Sequence, residues 1–182
     1  MTTALIVIDV QESFRVRDSW QDASAPDIAE RIGLLVEHAR ATGRRVVWIL
    51  HTEPGTGTAF DPAEGQVRLI EGLYPLEGEP LLHKTSHNAF TTTNLAQQLT
   101  TWGVTEVIVT GIRTEQCCET TARLAADLGY RVQFVIDATV TMPLPLWDGS
   151  GTISAEDVLA RTASALQGRF AEVVTVADVL AS

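Results

Sequence analysis

Short apolar runs alternate along the whole chain with stretches in which apolar residues recur every three or four positions. The runs are continuous and rich in Val and Ile, which is typical of strands buried on both faces of a parallel sheet. They predict strands over residues 4–8, 46–50, 106–110, 132–136 and 172–175, with a shorter candidate over residues 80–83.

The intervening stretches have the period of helices that pack one face against a sheet. In the first of them Ser24 is the predicted N-cap, with Asp27 three residues later, and Gly43 is the predicted residue just beyond the helix. Similar patterns predict further helices over residues 92–102, 115–129 and 155–167.

This alternation of strands and helices predicts the fold class. It favours an α/β protein with a three-layer α/β/α, Rossmann-like fold and a mainly parallel sheet of about six strands. A chain of 182 residues, 45% of them apolar, suits one such domain and is short for two. We therefore expect a single domain over residues 1–182.

The formal net charge of −10 argues against nucleic acid and anionic membrane surfaces as partners, because both require a basic face. The first residues lack the basic and long apolar segments of a secretory signal, and no apolar stretch approaches the ~20 residues of a membrane span. We expect a cytoplasmic protein. Cys117 and Cys118 are adjacent and cannot join distant segments, so at least one thiol should be free there.

Chemically active side chains follow several of the predicted strands. Asp9 ends the first strand, His51 the second, Lys84 follows the short candidate strand, and Cys117 comes shortly after the strand over residues 106–110. Ligands of open parallel sheets bind at the carboxyl ends of the strands, so these groups should meet at one edge. Each alone has an ordinary structural explanation. Together, a carboxylate, an amine and a thiol favour nucleophilic catalysis.

The expected chemistry assigns one task to each group. Cys117 should lie in the first turn of a helix, where the helix dipole and Lys84 would lower the pKa of its thiol. Asp9 would accept the thiol proton and pass it to a leaving amine, since no histidine neighbours the cysteines in sequence. Backbone N–H groups of Arg113 and Cys117 would hold the oxyanion.

Three ordered motifs resemble those of the isochorismatase-like cysteine hydrolases, which include nicotinamidases and N-carbamoylsarcosine amidases. They are an apolar strand followed by Asp9, Gln11 and Phe14; Lys84 followed by Asn-Ala-Phe over residues 88–90 and a Thr-led helix; and Gly111, Thr114 and Cys117. The resemblance extends from Leu5 to about Val176.

The resemblance implies Asp9 as the base, Lys84 as its electrostatic partner and Cys117 as the nucleophile. It also implies a cis peptide bond between Ile112 and Arg113 that aims the oxyanion-hole N–H. Cys118 stands where relatives carry a small apolar residue, so we interpret it as a packing residue. Relatives form dimers or tetramers, and the apolar stretch over residues 142–147 is either the subunit contact or a loop folded over its own core.

The resemblance also bears on metal and reaction type. Nicotinamidases carry an Asp-x-His metal site, but Ile49 replaces that Asp ahead of His51, so we expect no metal and no cofactor. Some true isochorismatases lack the nucleophilic cysteine; its presence here favours hydrolysis of an amide, carbamoyl or ureido C–N bond. Vinyl-ether hydrolysis of the isochorismatase type and a non-catalytic relative that binds a small ligand remain the alternatives.

Other function classes require residues that this chain lacks. A phosphatase of the haloacid dehalogenase type needs a second acid where Gln11 stands, and a dithiol redox enzyme needs Cys-x-x-Cys. A dinucleotide-binding site needs a glycine-rich turn after the first strand, and residues 10–13 contain no glycine.

Several residues near these motifs are candidates for contacting a small-molecule substrate. They are Gln11, Phe14, Trp20, His51, Phe60, His87 and Arg113. Arg113 either contacts an anionic substrate group or pairs with Glu115 or Glu119. His51 and His87 either donate hydrogen bonds to the substrate or are structural residues.

Overall fold

A six-stranded parallel sheet forms the centre of the computed structural model, which describes residues 2–182. The strands are β1 (Thr2–Ile8), β2 (Arg45–His51), β3 (Leu81–Lys84), β4 (Val104–Ile112), β5 (Arg131–Val140) and, after a short hairpin of β6 (Leu144–Pro145) and β7 (Thr152–Ile153), β8 (Glu172–Val174). Their order is β3-β2-β1-β4-β5-β8, and every neighbouring pair is parallel. The predicted mainly parallel sheet is confirmed.

Helices cover both faces of this sheet. They are α1 (Glu12–Arg15), α2 (Ile28–Ala41), α3 (Leu95–Thr101), α4 (Glu119–Asp127), α5 (Ala155–Leu166) and α6 (Val176–Leu180). Because side chains alternate along a strand, Leu5 and Val7 of β1 pack in one core with α2 and α6, whereas Ile6 and Ile8 pack in the other with α3, α4 and α5. The three-layer prediction is confirmed.

The start of α2 differs from the prediction. The helix begins at Ile28 with Asp27 at the N-cap position, and the predicted N-cap Ser24 lies before it. Ser24 instead bonds Thr141 twice: its N–H donates to the Thr141 carbonyl at 2.9 Å, and its hydroxyl accepts from the Thr141 N–H at 3.0 Å. The prediction was wrong because a long-range contact uses the hydroxyl that would have capped the helix.

Two other elements differ in length from their predictions. Strand β5 continues to Val140, past the predicted end at residue 136, with an irregularity in its pairing with β4. Helix α3 begins only at Leu95, because the Thr93 hydroxyl accepts the Leu95 N–H and donates to the Ala89 carbonyl in a separate turn.

The apolar stretch over residues 142–147 divides between core and surface. Met142 is buried, whereas Trp147 lies beyond β6 with 96% of its surface exposed. The oligomeric state stays a prediction. Among residues 2–182, no helix has the length and apolar character needed to cross a bilayer.

Candidate active site

Asp9 lies immediately after β1, at the carboxyl edge of the sheet. Its N–H donates to the carbonyl of Ile49 on β2 at 2.8 Å, and its φ of +53° lies in the left-handed region. Asp enters that region more readily than most residues, but the conformation still costs free energy. This backbone conformation ends β1 and turns the chain at Asp9, whose side chain is fully buried.

Gly111 allows β1 and β4 to approach closely beside Asp9. Its φ is +127°, and a Cβ atom there would lie 1.9 Å from the carbonyl oxygen of Ile8. Only glycine fits at this position, since any other residue would both clash and adopt an unfavourable backbone conformation. The glycine of the third motif is therefore required by the packing of the two central strands.

Lys84 is delivered to the same edge by strand pairing. It ends β3 opposite His51 of β2, and its carbonyl accepts the Thr52 N–H at 2.8 Å. The side chain is fully buried, with Nζ 2.8 Å from Asp9 Oδ2 and 3.3 Å from Cys117 Sγ. A third contact, to the carbonyl of Ser86 at 3.1 Å, helps to hold the ammonium between the acid and the thiol.

Lys84 and Asp9 form a buried ion pair. Both side chains are fully buried, and Lys84 Nζ lies 2.8 Å from Asp9 Oδ2. The two opposite charges compensate each other electrostatically in a site that is closed to solvent.

Cys117 lies in a widened π-helical turn, Thr114–Cys118, that leads into α4. The carbonyl of Arg113 accepts the N–H groups of Gln116 at 3.2 Å and Cys118 at 3.1 Å. Such turns occur often at functional sites. The Ile112–Arg113 peptide bond just before the turn is cis, as the resemblance implied. Cys117 is 6% exposed and Cys118 is fully buried in the core, the packing position expected for it.

Burial dominates the electrostatics of the thiol. Desolvation, reinforced by the negative charge of Asp9, raises the pKa of Cys117 to about 12, although Lys84 acts in the opposite direction. The expectation of a lowered thiol pKa was therefore wrong. The effect of Lys84 has the predicted sign, but a charged thiolate in a nearly closed site beside a carboxylate is too costly.

The two charged partners of Cys117 are shifted as well. Burial raises the pKa of Asp9 above its usual value, against the effect of Lys84. Burial alone would lower the pKa of Lys84, but the charges of Asp9 and Cys117 together raise it. The resting state is thus an Asp9–Lys84 ion pair beside a protonated thiol, and the raised pKa of Asp9 makes it a better proton acceptor than a surface aspartate.

Aromatic side chains surround His51 next to Lys84. The His51 and Phe60 rings are 5.6 Å apart, and Phe60 meets Phe14 edge to face at 5.0 Å. The exposed His87 ring is 6.4 Å from that of His51. Four of the predicted substrate contacts therefore form one cluster beside the buried charges.

The remaining predicted contacts are placed differently. The buried Gln11 amide is occupied by protein groups, since its oxygen accepts the His51 N–H at 2.8 Å and its nitrogen donates to the His51 carbonyl at 3.1 Å and to the Ser13 hydroxyl at 2.8 Å. The structure thus gives Gln11 the task of fixing β2 instead of the predicted substrate contact. Trp20 is half-buried and packs against the core that contains Phe14 and Phe60.

Arg113 takes one of the two orientations considered for it. Its Nε lies 3.1 Å from Glu115 Oε1, and its Nη2 donates to the Met142 carbonyl at 3.2 Å. Glu119, the other acid considered, pairs with Arg123 and Arg161 instead. The Arg113 side chain is therefore engaged with protein groups, which corrects the alternative in which it contacts an anionic substrate.

Two contributors to the site were missed from the sequence. Glu53 Oε1 lies 3.4 Å from His51 Nε2, and the Ser86 carbonyl holds Lys84. The position of Glu53, two residues after His51 in a turn-rich loop, was the only signal for the first contact. Sequence carries no signal for the second, because any residue could supply that carbonyl.

Cavities do not mark the buried charges. A cavity of about 580 Å³ lies at the opposite end of the sheet beside Glu106, Tyr130 and Phe170, whereas a smaller one of about 320 Å³ lies beside Arg17, Glu53 and Phe60 near the candidate site. Within residues 2–182, no group of three or more His, Cys, Asp or Glu side chains is arranged to hold a metal ion.

Comparison with known proteins places this site in a family context. The sequence model described as Isochorismatase domain matches residues 3–178. The isochorismatase family protein YddQ of Bacillus subtilis is 34% identical over 176 residues, which is 96% of this chain and 97% of the relative. An isochorismatase from Pseudomonas putida is 33% identical, with a TM-score of 0.88 over 97% of this chain and 89% of its own. A cysteine hydrolase from Pseudomonas syringae is 29% identical, with a TM-score of 0.87 over 98% and 91%.

Three further relatives carry names of more specific hydrolases. Streptothricin hydrolase of Streptomyces noursei is 32% identical over 93% of this chain and 58% of that relative. Nicotinamidase 3 of Arabidopsis thaliana is 32% identical over 76% and 73%, respectively. The ureidoacrylate amidohydrolase RutB of Methylorubrum extorquens is 28% identical over 75% and 69%.

Proposed function

The chain belongs to the isochorismatase family of hydrolases, and we propose that it cleaves a C–N bond of a small molecule through a thioester on Cys117. The bond would be of the amide, carbamoyl or ureido type. The observation that carries this proposal is the convergence of Lys84 Nζ on Asp9, at 2.8 Å, and on the Cys117 sulfur, at 3.3 Å.

The first step forms the acyl-enzyme. As Cys117 Sγ attacks the carbonyl carbon, its proton passes to Asp9, so that a free thiolate with its high pKa never has to accumulate. The tetrahedral intermediate then collapses, its C–N bond breaks, and Asp9 returns the proton to the leaving nitrogen. The products of this half-reaction are an amine or ammonia and a thioester on Cys117.

The second step releases the acid. Asp9 takes a proton from water, whose oxygen attacks the thioester carbon, and the proton then returns to the departing Cys117 sulfur. Throughout both steps Lys84 remains protonated, because its neighbours raise its pKa, and its charge stabilises whichever partner is anionic.

The widened turn supports an oxyanion hole at the cysteine. In a regular helix the Arg113 carbonyl would accept the N–H of Cys117, but here it accepts the N–H of Cys118. The Arg113 carbonyl is thus directed at Cys118, and we propose that the Cys117 N–H donates instead to a substrate oxygen, with the Arg113 N–H as its partner. Together they would stabilise the charge that develops on the substrate carbonyl.

The surroundings favour a small, flat substrate. Phe14 and Phe60 form an aromatic wall beside the His51 ring, and the charged groups behind them are almost closed to solvent. Relatives named nicotinamidase and ureidoacrylate amidohydrolase support a substrate with a carbonyl next to nitrogen.

The test is a screen of small primary amides, carbamoyl compounds and ureides for release of ammonia or amine, with isochorismate assayed in parallel for pyruvate. Wild type is compared with Cys117→Ala. We expect nitrogen release from at least one compound and its loss in the variant. Pyruvate release that survives in Cys117→Ala would contradict the proposal and indicate ether hydrolysis, and wild type without turnover of any compound would favour a ligand-binding role.

A further inference from the structure

The ammonium of Lys84 has three N–H groups but four close neighbours. Three of the contacts have hydrogen-bond geometry: the Ser86 carbonyl at 3.1 Å, Cys117 Sγ at 3.3 Å and His51 Nδ1 at 3.4 Å. The fourth neighbour is the Asp9 carboxylate, whose Oδ2 lies 2.8 Å away in an ion pair. The ammonium is therefore held by four groups at once, and His51 is one of them.

His51 is the neighbour whose contact depends on its protonation state. Its Nδ1 faces the Lys84 ammonium and its Nε2 faces the Glu53 carboxylate at 3.4 Å. A proton on Nδ1 would point at the Lys84 ammonium, and an unprotonated Nε2 would point its lone pair at the Glu53 carboxylate. Both of these contacts would be repulsive. Only the neutral ring with its proton on Nε2 makes both contacts favourable, so the hydrogen-bond network fixes this tautomer.

The chain also holds the His51 ring in place. Gln11 bonds both the N–H and the carbonyl of His51, at 2.8 and 3.1 Å, and Phe60 packs against the ring. The His51 side chain is only 15% exposed. The imidazole is thus anchored through its backbone, its face and both nitrogens.

We propose that His51 is a positioning residue whose Nδ1 accepts one N–H of Lys84, with Glu53 fixing the tautomer that makes this possible. If this acceptor is missing, the ammonium loses one of the contacts that hold it between Asp9 and Cys117. A less well-placed ammonium stabilises the charges that develop during proton transfer less, so proton transfer from Cys117 slows. The role in turnover rests on the proposed function, but the tautomer does not.

The first test is a long-range ¹H–¹⁵N NMR spectrum of the ¹⁵N-labelled wild-type protein at pH 7, which needs no substrate. Signals of His51 are assigned by their disappearance in His51→Asn, with the exposed neighbour His83→Asn as the matched control. We expect an unprotonated Nδ1 and a protonated Nε2, and loss of this preference in Glu53→Leu. A protonated Nδ1, alone or in an imidazolium, would overturn the proposal.

The second test uses the amide identified in the screen and compares His51→Leu with His51→Asn. The Asn side-chain oxygen can occupy the position of Nδ1 and accept from Lys84, whereas Leu cannot. We expect kcat to fall about tenfold to a hundredfold in His51→Leu, the size of one hydrogen bond to a charged group, with KM little changed and most of the kcat restored in His51→Asn.

Two results of the second test would overturn the proposal. Equal losses of kcat in the Leu and Asn variants would show that the acceptor is irrelevant. A rise in KM at unchanged kcat would make His51 a substrate contact instead. If the screen yields no substrate, the proposed function fails, but the NMR result still decides the tautomer and the contact with Lys84.

Discussion

The two ends of the central sheet treat charged groups in opposite ways. At the carboxyl end Asp9 and Lys84 are fully buried and form an ion pair, with Lys84 Nζ 2.8 Å from Asp9 Oδ2. At the amino end Glu106 accepts bonds from Thr3 and Gln133, and the half-exposed Arg131 approaches it from the surface. The amino end also has the larger cavity.

This difference between the charged groups at the two ends of the sheet indicates how an unknown catalytic site can be located. Charges at the amino end are hydrogen-bonded and partly hydrated, which is the inexpensive way to keep them in a folded protein. Charges at the carboxyl end are closed to solvent, which is costly and shifts the pKa values of three neighbouring groups. On the proposed function, these shifted pKa values lie at the site of chemistry, whereas the larger cavity does not.

The largest expected effect is on kcat/KM, when one carboxylate at each end of the sheet is replaced in turn. Asp9→Asn removes the proposed base, so kcat/KM should fall by about 10²- to 10⁴-fold, the usual contribution of general base catalysis. Glu106→Gln removes the same charge from the amino end and should change kcat/KM by less than about twofold. Steady-state kinetics on the substrate from the screen measures both. Equal losses in the two variants would remove the distinction between the ends.

The next largest effect is on the free energy of unfolding, when one glycine at each end of the sheet is replaced by alanine. Gly111→Ala places Cβ against the Ile8 carbonyl and should lower the free energy of unfolding by about 3 kcal/mol or more. Gly129→Ala, before β5 at the amino end, adopts a similarly positive φ in open space and should cost about 1–2 kcal/mol. Urea denaturation tests this difference, which a similar loss in both variants would contradict.

A smaller effect concerns the reactivity of the buried thiol. Because the pKa of Cys117 is about 12, its alkylation by iodoacetamide should keep accelerating as the pH rises through 8, 9 and 10, without a plateau. Asp9 raises this pKa, so Asp9→Asn should shift the curve to lower pH and speed alkylation at neutral pH severalfold. Cys118→Ala serves as the background, with peptide mass spectrometry as the measurement. A plateau near pH 7, or slower alkylation in Asp9→Asn, would contradict these electrostatics.

Much of the site's placement follows from the sequence. Strands buried on both faces have continuous apolar patterns, and parallel pairing brings their carboxyl ends together, so the convergence of Asp9, Lys84 and Cys117 could be predicted. The close approach at Gly111 could be predicted only through the family resemblance, because the neighbouring Ile8 carbonyl belongs to a distant part of the chain.

What could not be predicted depends on burial and on side-chain direction. Helix position and Lys84 suggested a low pKa for Cys117, but the burial of the site and the Asp9 carboxylate outweigh them. The Asp9 carboxylate could be predicted from the motifs, whereas the depth of burial could not. Gln11 looked available to a substrate because local sequence does not show that its amide bonds the backbone of β2. Ser24 was wrongly predicted as the N-cap of α2, because local sequence does not show that its hydroxyl bonds the distant Thr141.

The most direct test of the account compares hydrolysis by Cys117→Ala and Cys118→Ala under identical conditions. The two thiols are adjacent, but only Cys117 contacts Lys84, at 3.3 Å, while Cys118 is packed in the core. We expect no detectable nitrogen release from Cys117→Ala and most of the wild-type rate from Cys118→Ala. Turnover that survives in Cys117→Ala, or is lost only in Cys118→Ala, would contradict the assignment of Cys117 as the nucleophile.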